Sequence, residues 1–117
     1  MLLLRRGMSS MPEGVYHAAA DRLLGIVERR LEILEETMDD VDVEYSQGVL
    51  NINLGTKGIW VLNKQGPNQQ IWWSSPLSGP RRYEYVQGDR WVNTRDDNQD
   101  ILGSLAKEIE EVCGVRI

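Results

Sequence analysis

Cysteine is almost absent from this chain: one residue, Cys113, among 117. That excludes an internal disulfide and any cysteine-rich zinc or iron–sulfur site. Histidine is as scarce, and the single His17 rules out the paired Glu-x-x-His sites of buried di-iron bundles. Also missing are a glycine-rich phosphate loop, a G-x-S-x-G elbow and any nucleophile with a base beside it, so no enzyme motif is in view. No apolar run approaches the roughly 18 residues that span a bilayer. A surplus of basic charge is lacking too: the formal net charge is −5, which argues against a nucleic-acid partner.

What remains fits one domain with a single core. The first residues, MLLLRRGMSS, are apolar and basic without an acid. That is compatible with the tail of a mitochondrial presequence but too short to identify one, and a disordered leader is an equal reading. Residues 1–12 are therefore set apart from a domain over 13–117, with Pro12 suited to the opening turn of a helix. Tyr16, Ala20, Leu24, Val27, Leu31, Leu34 and Met38 recur at steps of three and four, one face of a helix of about six turns.

The same helix carries a second stripe beside the apolar one: Asp21, Glu28, Glu32, Glu35 and Asp39. With Glu36, Asp40, Asp42 and Glu44, residues 21–44 hold nine acids against Arg22, Arg29 and Arg30, a net of −6. Residues 45–95 hold six Lys and Arg against Glu84 and Asp89, a net of +4. An acidic edge beside a mildly basic sheet can orient a partner. Oxygen ligands of this kind suit Fe(II), Mn(II), Mg or Ca without selecting sharply among them. A solvated acidic face is the competing reading. His17, one turn from Asp21, could join such a site but reads first as a surface histidine.

Short strands divided by turns follow. VDVEYS, VLNINL and IWVLNK read as strands, with Leu50, Ile52 and Leu54 inward and Asn51 and Asn53 outward. RRYEYV and RWVNT flank a turn at Gln87–Asp89, and Pro80 suits a strand start. In QIWWSS, side-chain alternation separates Ile71, Trp73 and Ser75 from Gln70, Trp72 and Ser74. With Trp73 inside, Trp72 is offered to solvent among Asn63, Gln65, Asn68, Gln70 and Arg82. A tryptophan ringed by amides and an arginine has the composition of a protein-binding hot spot. A supporting role in cross-strand pairing is the alternative. Ile101, Leu102, Leu105, Ile109 and Val112 mark a second amphipathic helix, introduced by caps in Asp96, Asp97 and Asn98 and stopped by Gly114. Near its end Cys113 reads as a small buried apolar residue. Two one-sided helices then cover the dry face of an antiparallel sheet of about six strands, an α+β two-layer sandwich.

The stretch from Asn63 to Tyr83, NKQGPNQQIWWSSPLSGPRRY, closely resembles the central signature of the frataxin family, N-K-Q-x-P-N-x-Q-I-W-x-S-S-P-x-S-G-P-x-R-[YF]. It meets every fixed position. The resemblance extends over roughly residues 14–113, including YHAAAD at Tyr16–Asp21 and GVL at Gly48–Leu50. It implies the same sandwich and an iron-binding regulatory protein of the mitochondrial matrix. Such a protein docks on the cysteine desulfurase and scaffold complex and promotes sulfur transfer and iron–sulfur cluster formation, most simply as an activator without its own active site. An iron chaperone, store or weak ferroxidase is the alternative. The implied iron contacts, weak and without an organic cofactor, are Asp21, Glu28, Glu32, Glu35, Glu36, Asp39, Asp40, Asp42 and Glu44. Asn63, Gln65, Asn68, Gln70, Trp72 and Arg82 would form the sheet-face contact, on a protein expected to be monomeric when free. Ala18, Ala19, Arg22, Gly25 and Arg29 depart from the acidic first helices of relatives, and Gln69 replaces the usual lysine of the loop.

Overall fold

A computed structural model of the chain describes residues 10–117. Helix α1 spans Glu13–Thr37, and seven strands follow: β1 Asp42–Ser46, β2 Val49–Asn53, β3 Ile59–Gln65, β4 Gln70–Ser75, β5 Gly79–Val86, β6 Arg90–Asn93 and β7 Asp96–Asp100. Helix α2, Ile101–Cys113, closes the fold. The strands form one antiparallel sheet in chain order. This is the two-layer α+β arrangement expected, with one strand more.

Helix α1 forms where the step of three and four places an apolar stripe. Tyr16, Ala20, Leu24, Val27, Leu31 and Leu34 are buried, and Ala19 and Leu23 widen the stripe. Met38 is the C-cap residue and only partly buried. Pro12 lies just outside the first turn as N-cap, its carbonyl accepting from the amides of Val15 (3.0 Å) and Tyr16 (3.1 Å). Of the proposed leader, residues 1–9 lie outside the described residues. Met11, also assigned to that leader, belongs to the domain: it packs against the core and both its backbone groups are hydrogen-bonded to Gln69.

Alternation divides the sheet as a period of two requires. Leu50, Ile52, Trp60, Leu62, Ile71, Trp73, Tyr83 and Trp91 lie in the core. At roughly 25 cal/mol per Å² of apolar surface, these large side chains dominate the burial that holds the layers together. The seventh strand, DDNQD, has no apolar residue to alternate and is poor in strand formers. Its backbone nevertheless extends the sheet through an irregular pairing at Val92/Asn93. The expected caps are accordingly misplaced. Asp100, the last residue of β7, caps α2 by accepting from the Gly103 amide (3.0 Å), whereas Asp96 accepts from Asn98 inside the strand (3.0 Å). Gly114 ends α2 in the left-handed region, φ 71°.

One buried carboxylate has no counterpart in the sequence reading. Glu108 on α2, 7% exposed, accepts from Trp60 Nε1 (2.8 Å) and Ser75 Oγ (2.5 Å). Ser75 Oγ in turn accepts from the amides of Leu77 (2.9 Å) and Ser78 (3.1 Å), fixing the turn between β4 and β5. A serine at an inward position is thus satisfied on every side, as a buried hydroxyl requires. Cys113 is partly rather than fully buried, and burial pushes its thiol pKa up.

Candidate functional site

On the open face of the sheet the register sets Val49, Asn63, Trp72 and Arg82 in one row across four strands. Gln65 and Gln70 face each other in the adjoining pair, and Asn68 lies in the turn that joins them. The expected contact set is therefore brought together on one surface. Trp72, however, is half-buried rather than openly exposed. The guanidinium of Arg82 lies over its ring, 4.5 Å from the centroid, and its indole N–H donates to Gln70 Oε1 at 2.8 Å. Gln65 Oε1 accepts from the Asn68 amide (2.8 Å) and so shapes the turn. The stack and the bond to Gln70 thus hold the tryptophan and the arginine in one geometry.

Beside this row runs an open groove of about 1020 Å³, with Trp72, Arg82, Thr94 and Arg95 among its lining residues. Arg81 also lines it, stacked 5.5 Å over the buried Trp73 ring and donating to Tyr83 Oη (3.2 Å). Ion pairs among the described residues include Arg22–Asp89, Lys64–Asp21 and Arg116–Glu110. The sequence reading missed Arg81 and Arg95; the net positive charge of residues 45–95 was the only signal for them.

The nine candidate iron contacts occupy the opposite edge. Glu28, Glu32, Glu35 and Glu36 lie on α1, Asp39 and Asp40 in the following turn, and Asp42 and Glu44 on edge strand β1. All are exposed except Glu28, which is half-buried. Val43 and Tyr45 alternate inward against the core, which turns Asp42 and Glu44 toward the sheet's open face. Asp21 is already engaged: Lys64 Nζ is 2.8 Å away and Tyr45 Oη donates at 3.3 Å. The hydrogen bond from Lys64 holds its carboxyl below the usual range. His17 packs its ring edge-on against Tyr16. Among the described residues no three His, Cys, Asp or Glu side chains converge into a preformed metal cage. The carboxylates can supply oxygen ligands to a hard divalent ion only singly or in pairs, with water completing the shell.

The frataxin-like domain family matches residues 9–115. The chain belongs to the frataxin family. A mitochondrial frataxin from Dictyostelium discoideum is 45% identical over 102 residues, covering 85% of this chain and 52% of the relative. The mitochondrial frataxin homolog of Schizosaccharomyces pombe is 43% identical over 99 residues, covering 82% and 62%. The chain thus spans between half and two thirds of the length of these relatives. Both are mitochondrial proteins, and this frataxin is mitochondrial as well. Among solved structures, a trimeric frataxin from the yeast Saccharomyces cerevisiae, complexed with ferrous iron, superposes with a TM-score of 0.72 at 35% identity, covering 92% of this chain and 90% of the other. The frataxin signature is therefore the segment that builds the Trp72 row, the turn beside it and the Ser75 anchor to Glu108.

Proposed function

We propose that this frataxin is a regulatory protein of mitochondrial iron–sulfur cluster assembly. It docks on a cysteine desulfurase and scaffold complex through the Trp72 face and promotes sulfur transfer and cluster formation. The observation that carries this reading is the prearranged Gln70–Trp72–Arg82 unit on the open face of the sheet. Aromatic and arginine anchors near the centre of a contact hold most of its energy. The arginines of the groove, Arg81, Arg82 and Arg95, add a positive field that speeds encounter with an acidic surface.

Iron enters as cargo. Fe(II) binds weakly along the edge from Glu28 to Glu44, on exposed carboxylates with water filling the remaining positions, and no organic cofactor takes part. Asp21 contributes less than its neighbours because Lys64 must first be displaced. The free protein acts as a monomer in this reading. A second reading, an iron chaperone or store with weak ferroxidase activity, draws support from the ferrous complex of the yeast frataxin. Titration of fluorescently labelled desulfurase–scaffold complex with wild type and Trp72→Ala separates them. Docking requires saturable binding by wild type and its loss in the variant; equal binding by both would exclude the Trp72 face.

A further inference from the structure

We infer that Gln69 is a positioning residue for the docking surface, acting by clamping the backbone of Met11. The inference rests on the docking role given to the Trp72 face. Gln69 ends the turn at Gly66–Gln69 that joins Gln65 on β3 to Gln70 on β4. Its backbone φ is 54°, a region in which an unbranched L-residue is strained and glycine or asparagine is at ease. The turn closes with its own bonds, Gln69 N to Gly66 O (3.0 Å) and Asn68 N to Gln65 Oε1 (2.8 Å), and neither needs a carboxamide side chain at position 69.

That amide reaches elsewhere. Its Oε1 accepts from the Met11 N–H and its Nε2 donates to the Met11 carbonyl, both at 2.8 Å and partly buried. A side chain that satisfies the donor and the acceptor of one residue does what a neighbouring strand would do. Met11 also packs on the core, and the next residue, Pro12, caps α1. At the next residue, the first of β4, the Gln70 carbonyl accepts from Tyr16 Oη of α1 (2.8 Å). The start of α1 is therefore tied to two successive residues of the segment that carries Gln65, Asn68, Gln70 and Trp72. A pair of side-chain bonds to a residue 58 positions away points to a use beyond closing the hairpin.

The test uses the full chain with Gln69→Met, which keeps the length without the amide, and Gln69→Gly, which also relieves the strained φ. Amide exchange by NMR, melting temperature and affinity for the desulfurase–scaffold complex are read together. Two lost hydrogen bonds should speed exchange at Met11 by roughly tenfold or more. Both variants should bind the complex several-fold more weakly, and Gln69→Gly should melt no lower than wild type. Gln69→Glu keeps an acceptor for the Met11 N–H but loses the donor to its carbonyl, and should fall between. Unchanged Met11 exchange in Gln69→Met overturns the clamp, and a freed Met11 with full affinity overturns its positioning role. Should wild type itself fail to bind the complex, the docking reading fails separately. Exchange across Gly66–Gln70 then decides: faster exchange in Gln69→Met upholds the clamp's control of the turn, and unchanged exchange refutes it.

Discussion

Adjacent tryptophans on opposite faces of β4 make a paired experiment. Trp73 is 2% exposed, its ring packs 5.6 Å from that of Tyr83, and its indole N–H donates to Ser78 Oγ at 3.1 Å. Replacement by alanine removes a buried indole and leaves a cavity beneath α1 and α2, a loss of about 3–5 kcal/mol. Trp72 is half-buried, so its truncation forfeits chiefly the Arg82 stack and the bond to Gln70. These contribute about 0.5–1 and 0.5–1.5 kcal/mol, a combined loss of about 1–2.5 kcal/mol. At about 5 °C per kcal/mol for a domain of this size, Trp73→Ala should lower the melting temperature by about 15–25 °C and Trp72→Ala by about 5–12 °C. Thermal unfolding by circular dichroism at neutral pH, with urea midpoints as a check, measures both. Equal losses would refute the assignment of the two faces.

Glu108→Ala should destabilise by about 3 kcal/mol, since it strands two buried donors, Trp60 Nε1 and Ser75 Oγ; urea unfolding reads it, and a loss below about 1 kcal/mol would show that water replaces the carboxylate. Asp21 has a folded-state pKa below its unfolded one because of Lys64, so the pair stabilises above about pH 4 and its contribution is lost as pH falls through the depressed value. Lys64→Ala should therefore flatten the acid side of the stability–pH curve; an unchanged curve would remove the pair from the account. Joint replacement of Glu28, Glu32 and Glu35 by glutamine should weaken Fe(II) binding and raise stability by a few tenths of a kcal/mol per relieved pair at low salt. Calorimetry and thermal melts check the two halves, and a less stable variant with unchanged iron binding would contradict both.

The sandwich and the separation of the two sheet faces were legible because each rests on a local period. The step of three and four marked α1, and the period of two in QIWWSS separated Trp73 from Trp72 before any contact was known. Strand β7 was not legible, since DDNQD carries no alternation and its pairing is imposed by β6 and the bulge at Val92/Asn93. Its acids looked like helix caps, while the residue that caps α2, Asp100, stands at the strand's end. Glu108 was hidden for a different reason: a carboxylate in a helix reads as solvent-facing unless its partners, 33 and 48 residues away, are known. The diversion of Asp21 to Lys64 and the clamp of Gln69 on Met11 likewise join positions far apart in the chain.

The rate of cluster formation on a scaffold, at fixed iron, sulfur source and ionic strength, tests the central claim most directly. Trp72→Ala and Arg82→Ala, each verified as folded, should abolish stimulation, because each removes an anchor contributing about 2 kcal/mol or more at the centre of the contact. Glu32→Ala should weaken stimulation only slightly, since neighbouring carboxylates replace it and salt screens it. Full stimulation by Trp72→Ala together with failure of single acid variants would show that the protein acts through its iron and not through its sheet face.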